Sequence, residues 1–163
     1  AARRDDATHR HRLAELDREA DMDGVLIQPM VQGGVEVMVG TTTDRTFGAL
    51  VSFGLGGIHV EILHDVSFRV APVTDLDAGR MVREIRGYRL LEGYRGHPPA
   101  DVAAIEEVIQ RVSRLVEAVP QVQELDLNPL FALPPGQGCA VVDARVRVGQ
   151  PTRSRRHGGD RQS

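Results

Sequence analysis

The run Glu124-Leu125-Asp126-Leu127-Asn128 alternates polar and apolar residues. In an extended chain successive side chains point to opposite faces, so Glu124, Asp126 and Asn128 share one face and the two leucines the other. Pro129 follows, and proline stops regular pairing unless its strand lies at an edge. The turn Pro134-Pro135-Gly136-Gln137-Gly138 leads back through Cys139 to Val148, and a hairpin centred near Gly136 sets Asp143 opposite, or nearly opposite, Asn128. An amide oxygen and a carboxylate converging beside a further carboxylate suit a hard cation. Magnesium takes oxygen ligands, few of them from protein, and phosphates complete its shell. The same pattern describes a half-solvated hairpin with its polar residues outward, and spacing alone favours that plainer reading.

Two more segments have residue types that could do chemistry. In Phe53-Gly54-Leu55-Gly56-Gly57-Ile58 the glycines either let backbone amides approach a phosphate closely or let the strand turn sharply, and the turn is the simpler reading. Val25-Leu26-Ile27-Gln28-Pro29-Met30-Val31, with Glu36 eight residues after Gln28, is an apolar strand leading to a turn and an acidic residue, an arrangement that could hold a purine and its ribose. His9, His11, His64, His97 and His157 sit in polar surroundings and read as solvated; His59 alternates with apolar neighbours and reads as partly buried. Cys139 between Gly138 and Ala140 reads as a small buried hydrophobe rather than a nucleophile.

These residues depend on a mixed set of elements. Leu13, Leu16 and Ala20 are spaced for a helix over about 7–21. Five short strand candidates follow: Val25 to Val31, Val35 to Thr42, Ala49 to Phe53, Ile58 to Leu63 and Ser67 to Ala71. Their turns are short enough to favour antiparallel pairing. The period then changes. Thr74 and Asp77 form a loose capping box before a helical face of Met81, Val82 and Ile85. After Pro98-Pro99, a stripe of Val102, Ile105, Val108, Ile109, Val112, Leu115, Val116 and Val119 marks a longer helix that Pro120 stops. With the closing hairpin the fold class is α+β: a mostly antiparallel sheet with packed helices. The expected organisation is an N-terminal helix and linker over 1–23, one domain over 24–148, and an Arg-rich tail over 149–163. The tail lacks aliphatic and aromatic residues from Gln150 onward, and disorder is expected there.

Composition narrows the function. The chain has 163 residues, 41% hydrophobic and 26% charged, a balance expected of one globular domain with no membrane span. All 20 basic residues are arginine, which excludes a phosphate loop or Schiff base built on lysine. One cysteine excludes a disulfide framework, and a cytoplasmic, reducing location is expected. The opening residues Ala1 to Asp6 lack the apolar core of a secretory signal. A net charge of -3 argues against a nucleic-acid partner.

Five motifs in order, "GVLIQPMVQGGVEVMVG", "FGLGGIHVEILHDVSFRVAP", "IRGYRLLEGYRG", "ELDLNPL" and "VVDARV", resemble the C-terminal half of the ATP-grasp region of NDP-forming acyl-CoA synthetases, such as the ADP-forming acetate-CoA ligases, which are similar to succinyl-CoA synthetase in this part. The resemblance runs from about Gly24 to Val148 and implies ATP and Mg2+ as ligands. By position it implies magnesium binding at Asn128 and Asp143, with Asp126 an acidic residue beside them. It implies adenine contact along Gln28, Pro29, Met30 and Val31, partly through backbone groups, ribose contact at Glu36, and a phosphate contact at Arg69. Glu61 matches a recurrent acidic position. The family's phosphohistidine matches no residue in this stretch, so no catalytic residue is assigned. The implied partners are ATP and the CoA-binding and ligase domains of the same or another chain. The expected function is the nucleotide- and magnesium-binding part of an acyl-CoA synthetase (acid, CoA and ATP to acyl-CoA, ADP and phosphate), inactive on its own. The alternatives are a regulatory ATP-grasp module of a multidomain acetyltransferase and a truncated, inactive product.

Overall fold

Alternating apolar positions define the sheet. In β1 (Val35–Asp44) Val37, Val39 and Thr41 are buried; in β2 (Gly48–Leu55) Val51, Phe53 and Leu55 are. Residues described in the computed structural model are 30–44, 46–57, 65–94, 96 and 98–150. The chain divides into two units, Ala1–Gln32 and Gly33–Ser163. Of the first, only Met30, Val31 and Gln32 are described; they form no regular element, although Met30 and Val31 close the first expected strand. The expected helix over 7–21 and the expected strand Ile58 to Leu63 lie outside the described residues.

In the second unit, β1 and β2 form an antiparallel hairpin, and β3 (Val66–Val70) adds to β2. Helix α1 (Asp75–Glu84) begins at the expected capping box, with Thr74 Oγ1 accepting from the Asp77 amide at 3.1 Å. A single turn, α2 (Tyr88–Leu91), was not expected in the glycine-punctuated stretch. Helix α3 (Val102–Ala118) is capped by Asp101 and ends before Pro120. The chain closes with β4 (Val122–Ala132), β5 (Cys139–Val141) and β6 (Ala144–Val148). The order is β3-β2-β1-β4-β5, with β6 also on β4, and every pairing is antiparallel.

The three described helices contribute to one core with the sheet. Met81, Val82, Leu91, Ile105 and Ile109 are buried together with Val37, Phe53, Leu55 and Leu130. Burying each large side chain contributes about 1.5–3 kcal/mol. The α3 stripe is narrower than its spacing predicts: Leu115 and Val119 are exposed, and Ser113 is buried instead. The Ser113 hydroxyl earns that place by accepting the Val73 amide at 2.8 Å, which would otherwise be an unpaired buried donor.

Pro129 does not end the sheet or mark an edge, contrary to expectation. It lies in β4, an interior strand, because a bulge absorbs it. Val37 pairs with Leu130 and Val39 with Leu127, so Asn128 and Pro129 together face Met38 alone. The bulge also keeps the core face apolar: Leu125 is buried before it, and Leu130 and Ala132 after it.

Candidate functional site

The bulge in β4 is matched by a break in the returning strand. β5 ends at Val141 and β6 starts at Ala144, leaving Val142 and Asp143 beside Pro129 and Asn128. The Val142 amide donates to the Pro129 carbonyl at 3.1 Å, and the Asn128 amide to the Asp143 carbonyl at 3.2 Å. Asn128 and Asp143 are therefore direct cross-strand neighbours. Both are exposed.

Asp126 lies two residues before the bulge, in register with Gly40 of β1 on one side and Arg145 of β6 on the other. Its neighbour Leu125 points into the core, so Asp126 belongs to the sheet face opposite the described helices. The register continues across the sheet through Ser52 to Phe68. The middle of this row is kept low by Gly40, where an added Cβ would come 3.0 Å from Ser52 Oγ and 3.2 Å from the Leu125 carbonyl oxygen. Burial holds the Asp126 carboxyl above its ordinary range; Arg145 opposes that shift and the negative Asp143 adds to it. The two carboxylates thus feel one another.

The Asp143 carboxylate meets Arg145 Nε at 3.4 Å, with both side chains at least half exposed. Such a pair contributes little stability and is easily exchanged. Among the described residues no three His, Cys, Asp or Glu side chains cluster closely enough to hold a metal ion by themselves. What this corner offers is two carboxylates and one amide oxygen. That set fits magnesium, which keeps water and phosphate oxygens in most of its positions, and does not fit a metal needing a closed protein cage.

Glu36 and the glycine-rich segment form one local structure. The Gly56 amide donates to the Glu36 carbonyl at 2.8 Å. A Cβ at Gly56 would lie 2.5 Å from Glu36 Cγ, and one at Gly57 would lie 3.2 Å from its carboxylate. Gly57 has a positive φ of 62°, which side chains disfavour. The glycines therefore give Glu36 room to lie across the chain, a packing reason that spacing did not disclose. Glu36 shares the sheet face opposite the described helices with Gly40, four residues or about 13 Å further along β1.

Arg69 is not brought to this corner. It is in register with the buried Val51 on the helix-covered side, and its guanidinium is held bidentately by Glu84 of α1 at 2.8 and 2.6 Å. Of the adenine-contact residues, Met30 is 82% exposed and Val31 half-buried, while Gln28 and Pro29 lie outside the described residues, as does Glu61. All six histidines lie outside them too. Cys139 is half-buried, and burial pushes its thiol up to about 11, so it stays protonated at neutral pH.

Two anchoring carboxylates escaped sequence reasoning. Asp65 is buried and accepts the Arg86 and Gly87 amides at 2.8 and 2.7 Å, fixing the start of β3 to the end of α1. Asp101 caps α3 through Ala104 and also accepts the Gly136 and Gly138 amides of the hairpin turn at 2.8 and 3.0 Å. An Asp directly before the α3 stripe was a readable helix-start signal; its grip on the turn was not.

Residues 2–148 match the family model for the ATP-grasp domain. The chain is 49% identical over 129 residues to the beta subunit of ADP-forming acetate–CoA ligase II of Pyrococcus furiosus, covering 78% of this chain and 55% of that protein. It is 48% identical over 132 residues to ADP-forming acetate–CoA ligase I of Archaeoglobus fulgidus, covering 81% of this chain and 19% of that protein. Among solved structures it is similar to dinucleotide-forming acetyl-coenzyme A synthetase 1 of Ca. Korarchaeum cryptofilum in complex with coenzyme A and Mg-AMPPCP. The TM-score is 0.74 at 40% identity, over 86% of this chain and 64% of that one. The chain thus spans between a fifth and about two thirds of these relatives.

Proposed function

The chain belongs to the ATP-grasp domain family, and from that premise we propose that it supplies one wall of the magnesium–nucleotide site of an ADP-forming acid–CoA ligase. The observation that supports this most is the matched bulge: Asn128 bonded to Asp143 through the backbone, with the Asp126 carboxylate on the adjoining face, opposite the described helices. In the whole ligase the reaction converts a carboxylic acid, CoA and ATP to acyl-CoA, ADP and phosphate. Magnesium, when bound, neutralises charge on the transferring phosphates.

The chain's own residues position and orient. Asp143 and Asn128 present oxygens to the metal, and Asp126 adds a carboxylate whose burial makes it the more eager for a cation. Glu36 takes the ribose hydroxyls, and the segment Gln28, Pro29, Met30 and Val31 lines the base. Arg69 is left out of the site, since Glu84 occupies its guanidinium. CoA-binding and ligase domains of the same or another chain would supply the acyl and CoA chemistry.

Co-expression with the remaining domains of such a ligase tests the reading. Acid-dependent release of ADP from ATP, lost on Asp143→Asn, is the expected result. Full activity of that variant, in a protein that is active without it, would overturn the assignment.

A further inference from the structure

Arg145 differs from the other paired arginines. Among the described residues, Arg69, Arg83, Arg111 and Arg147 close on their carboxylates at 2.6–2.7 Å. Arg147, the neighbouring arginine on the same face, is fixed by both oxygens of Glu124 and by Gln123. Arg145 makes one ion pair among the described residues, Nε to Asp143 at 3.4 Å, and its side chain is 81% exposed. It is rooted directly across β4 from Asp126, while its neighbour Val146 is in register with the buried Leu125 on the opposite face. A single guanidinium thus stands between the two carboxylates of the corner, on the sheet face opposite the described helices, loosely held.

We propose that Arg145 is an exchangeable phosphate-binding residue: in the metal-free protein it neutralises Asp143 and Asp126, and when magnesium–nucleotide binds it releases Asp143 to the metal and takes a phosphate oxygen. This rests on the magnesium site proposed above. The exchange follows from charge and shape. A divalent cation on Asp143 repels the guanidinium beside it, while the polyphosphate arriving with the metal offers the planar, multi-oxygen partner that arginine binds best. The two roles have opposite signs. Arg145 competes with a bare cation and cooperates with a cation–phosphate complex.

Titrations of the 163-residue chain and of Arg145→Gln, followed by amide shifts, separate them. Against magnesium chloride alone, Arg145→Gln is expected to bind about two- to threefold more tightly, because an exposed competing ion pair is gone. Against magnesium–ATP it is expected to bind about tenfold more weakly, because a charged hydrogen bond to phosphate is lost. Arg145→Lys, which keeps the charge without the planar fork, should fall between on magnesium–ATP. Thermal melts should coincide for all three, since the side chain is exposed. Shifts of the same sign with both titrants, or no shift with either one, would overturn the role of Arg145. No saturable magnesium response in the unaltered chain would instead overturn the metal site and, with it, this inference.

Discussion

Asp126 stands in surroundings that suit its charge poorly. Burial and the nearby Asp143 both raise its carboxyl, and Arg145 only partly offsets them. A carboxylate held this way costs the free protein stability and gains when a cation arrives. Asp126→Asn is therefore expected to raise the melting temperature while weakening magnesium–nucleotide binding; a lower melting temperature would mean that the carboxylate supports the fold. Asp143→Asn is expected to leave the melt unchanged, since the side chain is exposed and its pair with Arg145 is long, yet to weaken magnesium–nucleotide binding by at least about tenfold. Equal losses of stability and affinity would mark Asp143 as structural. The juxtaposition of Asn128 and Asp143 was legible in the sequence because strand alternation and a turn near Gly136 fix it. Arg145 was not singled out, since its meaning lies in the register that sets it across from Asp126.

At the level of elements, period and punctuation carried most of the information. The β1–β2 hairpin, β3, α1 with its capping box, α3 and the closing hairpin all lie where alternation, helical spacing and proline or glycine stops place them. What escaped was context. Pro129 reads as a stop, but the two-residue bulge against Met38 lets it remain in an interior strand, and no local pattern announces a bulge. Leu115 and Val119 extend the α3 stripe on paper, but Val112 and Val116 make the core contact there and leave these two exposed. Of the expected tail over 149–163, two residues are held to the sheet: the Gly149 amide donates to the Gln121 carbonyl and Gln123 donates to the Gln150 carbonyl, while 151–163 lie outside the described residues. Asp101 joins two elements, capping α3 and holding the hairpin turn that brings β5 and β6 back. Amides of Gly138 first, then Ala104 and Gly136, keep its carboxyl below the usual range. Its stabilisation is therefore present above the unfolded value of 3.8 and is lost as pH falls through the lowered folded value. Asp101→Ala should cost about 1–2 kcal/mol at neutral pH by chemical denaturation, with the gap closing in acid. A gap that persists unchanged at low pH would show that the carboxylate is not its source.

Within the described residues of the second unit, the helices pack on one face of the sheet, and the proposed ligands of the phosphate end lie on the other. No helix among the described residues is long and apolar enough to cross a membrane. Nucleotide sites normally bury most of their ligand, and donors on one sheet face leave a nucleotide largely hydrated. The 163-residue chain by itself is therefore expected to bind magnesium–ATP at roughly millimolar strength and to form no acyl-CoA. Calorimetry that found micromolar binding would mean a second wall is supplied, for instance by another copy of the chain. The location of the metal is the central claim, and paramagnetic mapping tests it most directly. Manganese takes the same oxygen ligands as magnesium and broadens the amide signals of residues close to it. Titrated with ADP into the isotopically labelled chain, it should broaden Asp126–Asn128 and Val142–Arg145 first, with both groups spared in Asp143→Asn. Broadening centred instead on the acidic residues of α1, Asp75, Asp77 and Glu84, with the β4–β6 bulge untouched, would contradict the account.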